Sequence, residues 1–105
     1  MVYLIHFERK LAHAQHYVGF SSSPAALRRR LDHHRSGNGS RLMNAVVQAG
    51  IPYRVVRIWP EGTRTEERRI KNTAHPERIC PVCSGQPVKL RAPYWSFTPE
   101  AGAAE

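Results

Sequence analysis

Residues 2–8 constrain this chain more than any other stretch. Val2, Leu4 and His6 alternate with Tyr3, Ile5 and Phe7, and both resulting faces are largely apolar. That is the pattern of a buried strand. His13 to Gln15 makes a polar connection, and His16-Tyr17-Val18-Gly19-Phe20 reads as a second short strand, rich in strand-favouring residues. Two strands joined by a short polar segment predict an antiparallel hairpin.

Helix signals follow. Ser23 is placed as an N-cap with Pro24 at the first helical position, and the helix runs to about Arg35 before Ser36-Gly37-Asn38-Gly39. Its wheel buries Leu27 and Leu31, with Arg30 and His34 four residues apart along one side of the stripe. Ser40 caps a second helix over 41–49, closed by Gly50. Tyr53 to Trp59 forms a third strand between Pro52 and Pro60. Thr63-Arg64-Thr65-Glu66 fits a capping box, in which Glu66 folds back to the N-cap amide, and the helix behind it fades near His75-Pro76. The expected fold is a small α/β domain, β-β-α-α-β-α, with a three-stranded, largely antiparallel sheet and about three helices. Residues 1–83 form that domain. Residues 84–105 form a Pro/Ala-rich tail, whose Tyr94, Trp95 and Phe97 are expected to anchor on the domain rather than stack on bases.

Composition enters through charge. The 105 residues hold sixteen Lys and Arg against eight Asp and Glu, a net +8. Thirteen of the cations are Arg, whose forked guanidinium matches phosphate oxygens in pairs. A surplus of this kind points to a polyanionic partner, usually nucleic acid, DNA or RNA. No apolar run approaches the roughly 20 residues of a membrane-spanning helix. The N-terminal residues lack the charged start and apolar stretch of a secretory signal. The expectation is a cytoplasmic protein with no membrane partner.

Cys80 and Cys83 stand in Cys-Pro-Val-Cys. Such a pair is either half a metal site, with His75 as the third zinc ligand nearest in sequence, or a tight turn with two packed thiols. No βαβ pattern surrounds it, so a redox motif is disfavoured.

The chemistry-bearing residues are two strand tyrosines, Tyr3 and Tyr17, Arg30 and His34 on the first helix, and Glu66 or Glu67 on the last. Each alone has a plain structural reading, such as a packed tyrosine, a solvated arginine or a helix-end histidine. Their order and spacing resemble the GIY-YIG nuclease family. Met1-Val2-Tyr3 stands where that family has Gly-Ile-Tyr, and Tyr17-Val18-Gly19 where it has Tyr-Ile-Gly. Leu27 to His34 is similar to its L-x-x-R-L-x-x-H helix, and Glu67 to Lys71 to its metal-binding E-x-x-L-I segment. The resemblance spans roughly residues 1–80.

The resemblance implies a GIY-YIG-like fold and an endonuclease that uses one Mg²⁺ or Mn²⁺ ion to cut DNA. Glu67 would hold the metal and Tyr3 would act as general base. Tyr17 would position water or phosphate, Arg30 would stabilise the transition state, and His34 would move protons or bind phosphate. Arg41, Arg54, Arg57, Arg68 and Arg69 are the expected backbone-phosphate contacts, with specificity coming from DNA structure or a protein partner. The chain departs from the family pattern at three places: Met1 replaces the first glycine, Phe20 and Ser21 stand where a lysine follows, and Cys80 occupies about the place of an asparagine. These departures favour an alternative, a non-catalytic nucleic-acid-binding module on the same scaffold. A further alternative is a zinc-stabilised interaction protein in which His75, Cys80 and Cys83 contribute ligands.

Overall fold

The computed structural model describes residues 1–37, 39–90 and 96–98. Strand β1 (Val2–Leu11) turns into β2 (Ala14–Phe20), followed by helices α1 (Pro24–Arg35) and α2 (Arg41–Gln48). Strand β3 (Tyr53–Trp59) leads to α3 (Arg64–Lys71), a 3-10 turn over Pro76–Arg78, the short helix α4 (Pro81–Ser84) and β4 (Ser96–Phe97). The sheet order is β2-β1-β3-β4 and every pairing is antiparallel.

The two apolar faces of β1 each find a cover. Tyr3, Ile5 and Phe7 pack with Leu27 and Leu31 of α1, Met43 and Val46 of α2, and Tyr53 and Val55 of β3. Val2 and Leu4 pack on the opposite face with Val18, Val56 and Cys80, edged by Phe20, Trp59, Ile70, Ile79 and Val82. Each large apolar side chain so enclosed contributes roughly 1.5–3 kcal/mol. A bulge in β3 serves both layers. Arg57 opposes Leu4 and Val55 opposes Ile5, so Val56 is an extra residue that joins the second face while Val55 stays in the first.

Ser23 Oγ accepts from the Ala26 amide at 3.1 Å, Ser40 Oγ from Met43 at 3.2 Å, and Thr63 Oγ1 from Glu66 at 3.2 Å. All three caps stand where the sequence places them, each worth about 1 kcal/mol. Glu66, expected to fold back on Thr63, instead accepts a hydrogen bond from Arg69 at 3.2 Å.

Three boundaries differ from expectation. β1 runs on to Leu11 through the exposed Glu8-Arg9-Lys10, held by pairing with β2 rather than by burial, so no apolar alternation marks it. The turn lies at Ala12-His13, with Ala12 in the left-handed region at φ 55°. α3 stops at Lys71, where Asn72 caps it, well short of His75.

The sheet has four strands, not three. Ser96-Phe97, in the expected tail, pairs with β3, and the Phe97 ring stacks on Tyr53 with centroids 5.1 Å apart. A two-residue strand is too short to show periodicity. Tyr94 and Trp95 lie outside the described residues. No helix among the described residues is long and apolar enough to cross a membrane.

Candidate active site and metal cluster

Hairpin register assembles the first cluster. Tyr3 pairs with Gly19 and Ile5 with Tyr17, so both tyrosines project from the face covered by α1. Their ring centroids lie 6.2 Å apart. Gly19 is a steric requirement, because a Cβ there would collide with Cζ and the hydroxyl oxygen of Tyr3. The glycine of Tyr17-Val18-Gly19 is therefore the slot in which the Tyr3 ring lies.

α1 closes the cluster. His34 is buried, its ring edge-on to Tyr17 with centroids 5.2 Å apart, and its Nε2 lies 3.1 Å from the Tyr3 hydroxyl. Gly39 makes room for it, since a Cβ there would strike His34 Nδ1. The Arg30 guanidinium lies against the Tyr3 and Tyr17 hydroxyls from the exposed side.

Burial, with the charges of Arg30 and His33 adding to it, pushes the His34 pKa down to about 4. Burial and the neighbouring Tyr17 push the Tyr3 phenol well above its ordinary range, against the opposing pull of Arg30. At neutral pH the phenol keeps its proton and the imidazole is neutral. The consistent arrangement has Arg30 donating to the Tyr3 oxygen and Tyr3 donating to His34 Nε2. His34 Nδ1 then carries the ring hydrogen, buried and without a partner among the described residues.

Beside Arg30 an open cavity of about 300 Å³ is lined by Phe20, Ser21, Arg29, Arg30, His33 and Arg64. Arg64 lies over the Phe20 ring at 4.5 Å. Three arginines line this recess and no carboxylate does, which suits a bound anion. Arg29 and Arg64 were not among the expected phosphate contacts. Arg29 reads from the wheel as a solvent-facing cation, and Arg64 belongs to a distant helix.

Glu67 lies on the inward side of α3, its side chain 17 % exposed, in the helix that packs against β2. It shares a helix face with Arg64, one turn away. Its ion pair is with Lys71 at 3.7 Å, and none of the described contacts joins it to Tyr3 or Tyr17. Glu66, the other candidate, is engaged by Arg69.

The five arginines expected on phosphates do not share one recess. Arg57 lies 4.6 Å over the Trp59 ring, donates to the Ile79 carbonyl at 3.2 Å, and lines one cavity together with Arg69. Arg54 and Arg68 are exposed on β3 and α3, and Arg41 opens α2.

The second cluster lies on the opposite face of the same hairpin. His6 pairs directly with His16, and α4 brings Cys80 and Cys83 against them. One ligand atom from each of the four residues lies within 4.8 Å of the others, a His₂Cys₂ group able to hold a metal ion of the zinc type. His6 and His16 are both held below the ordinary imidazole range, chiefly by burial, which favours the neutral, metal-ligating form.

His75, the expected third ligand, is not in the group. Its Nδ1 lies 3.1 Å from Glu77 Oε1 in an exposed pair. Nearness in sequence to Cys80 misled, because the ligands arrive from a strand pair more than sixty residues upstream. The missed signal was the hairpin itself, whose register sets one histidine opposite the other.

Compared with protein-family models, with curated proteins and with solved structures, the chain matches none of them.

Proposed function

We propose that this protein is a divalent-metal-dependent endonuclease that hydrolyses DNA phosphodiester bonds, directed to its target by DNA structure or by a partner. One observation carries the reading: Tyr3, Tyr17, Arg30 and His34, from two strands and a helix, meet at one place on the sheet. The resemblance in sequence supports the same assignment.

A scissile phosphate would enter the recess between Arg29, Arg30 and Arg64, where Arg30 neutralises the charge that grows on the phosphorane. Glu67, one turn along α3 from Arg64 and outside the lining of that recess, would hold the Mg²⁺ or Mn²⁺. One enclosed carboxylate fits that ion, which takes few protein ligands and completes its shell with water and phosphate oxygens. When bound, the ion supplies Lewis-acid stabilisation of the phosphate. With Arg64 and Arg68 close by in the same helix, Glu67 gains its metal chiefly when a phosphate is present to share it.

Tyr17, half-buried, positions water or phosphate. For Tyr3 to accept a proton from water, its own must first move, and neutral His34 Nε2 is in place to take it.

A second reading, a binding module without chemistry, has its own support. Tyr3 is fully buried, and its hydroxyl already serves His34. One experiment separates the two. Nicking of supercoiled plasmid in Mg²⁺ or Mn²⁺ should fall about 10²–10³-fold in Arg30→Ala and in Glu67→Ala. Variants that cut like the unmodified chain would overturn the mechanism. Salt-sensitive DNA binding with no cleavage in either ion establishes the binding module.

A further inference from the structure

We infer that His6, His16, Cys80 and Cys83 form a closed structural zinc site that ties the segment after α3 to the β1–β2 hairpin. This does not rest on the endonuclease reading, since the four residues lie on the face of the hairpin opposite Tyr3 and Tyr17 and none of them belongs to that site.

Hydrogen bonding does not account for the geometry. His6 Nδ1 lies 3.4 Å from His16 Nε2, 3.4 Å from Cys80 Sγ and 3.7 Å from Cys83 Sγ. A ring nitrogen offers either one hydrogen or one lone pair, so it cannot serve three partners. Cys83 Sγ lies a further 3.4 Å from His16 Nε2.

A shared ion does account for it. Tetrahedral zinc, with Zn–N of about 2.0–2.1 Å and Zn–S of about 2.3 Å, sets two nitrogens about 3.3 Å apart and nitrogen and sulfur about 3.6 Å apart. The four separations given above fall within about 0.2 Å of these values, and the other two ligand pairs lie within 4.8 Å. The donors arrive as a set of soft and borderline ligands without a carboxylate, which selects zinc over magnesium.

Charge agrees as well. Binding of Zn²⁺ releases the two thiol protons, so two thiolates and two neutral imidazoles leave the unit with no net charge. Such a unit tolerates an environment in which Cys80 is fully buried and His6 nearly so. Four protein ligands complete the tetrahedron, which marks a structural centre rather than a catalytic one.

The location supplies the purpose. α4 is only four residues long, and the 3-10 turn before it three. Neither could persist alone. Yet Cys80 and its neighbours Ile79 and Val82 are what cover Val2, Leu4 and Val56 on that face. A metal holding Cys80 and Cys83 to two adjacent strands fixes that cover in place.

The test measures metal directly. Full-length protein purified under reducing conditions without chelator should contain one zinc per chain by elemental mass spectrometry. After stripping, Co²⁺ should restore the visible bands of a tetrahedral site together with a sulfur-to-cobalt charge-transfer band. His16→Gln and Cys83→Ser should each weaken zinc binding about 100-fold or more, the upper end of what even outer-shell changes cost. His75→Gln should bind zinc like the unmodified chain. Should Cys83→Ser fold poorly, its charge-transfer band at saturating Co²⁺ still reads the site, dropping to roughly half as one of two thiolates is lost. The inference is overturned if both thiols stay free and no metal is taken up in excess zinc, if they form a disulfide that excludes it, or if His75→Gln loses metal as His16→Gln does.

Discussion

The two faces of the β1–β2 hairpin are built from neighbouring residues and arrive at opposite chemistries. Tyr3 and Tyr17 project to one side, His6 and His16 to the other, and strand alternation alone separates them. On the first face the polar groups engage one another incompletely. His34 Nδ1 has no partner among the described residues, and Arg30 reaches from the buried pair to an open basic recess. On the second face four ligand atoms lie within 4.8 Å of one another. An arrangement left open toward an anion suits substrate, whereas one that closes on itself suits a permanent ion. The difference teaches that two faces of one hairpin can gather polar groups in contrasting ways, one leaving a buried ring nitrogen without a partner beside an arginine-lined recess, the other drawing four ligand atoms together.

The sharpest way to break the contrast is to remove the ion. Chelation of zinc from the reduced protein should lower stability by several kcal/mol, the scale on which structural zinc contributes to folding. For a domain of this size that is at least about 10 °C in Tm. Thermal melts with and without a zinc-selective chelator read it, and added zinc should restore the transition. A melt indifferent to both would mean that the second face is held by its apolar contacts alone.

The faces also differ in how much of each was legible from sequence. The Tyr3, Tyr17, Arg30 and His34 group was readable because its members fall at fixed spacings inside strongly patterned elements. Alternation put both tyrosines on strands, and the four-residue helical repeat put Arg30 beside His34. The ligand set was half readable. Cys80 and Cys83 announce themselves, but His6 and His16 look like ordinary strand residues until register sets them opposite each other. Register is a tertiary property, so sequence proximity to the cysteines points to His75 instead. Arg64 escaped for a similar reason. Its place in the recess depends on α3 docking beside β2, which the composition of α3 does not reveal. β4 escaped because two residues carry no period.

A second test acts on the first face and should leave the second intact. Gly19→Ala places a methyl group where the Tyr3 ring lies, and that ring is enclosed on all sides. Overpacking of this kind costs about 1–3 kcal/mol and displaces the Tyr3 hydroxyl from His34. Urea unfolding should show the loss, while zinc content stays at one per chain, since Val18 and His16 point to the other side. If Gly19→Ala costs nothing, or if it expels the metal, the two faces are not independent in the way their geometry implies.

The last test concerns His34 and is read by pH. Its folded pKa of about 4 lies below the ordinary value near 6.5, so between those limits the unfolded chain binds more protons than the folded one. Stability associated with His34 is therefore complete above about pH 6.5 and is lost as the pH falls toward 4, with a slope of at most about 1.4 kcal/mol per pH unit. His6 and His16 shift in the same direction, and zinc release adds to both. The informative quantity is thus the difference between the unmodified chain and His34→Gln, in which those contributions cancel. Equilibrium unfolding at intervals from pH 7.5 to 4.5 should show the unmodified chain losing stability faster than the variant on acidification. Parallel curves would mean that folding leaves the His34 pKa unshifted, so that the enclosure that holds the imidazole neutral beside Tyr3 and Arg30 is absent.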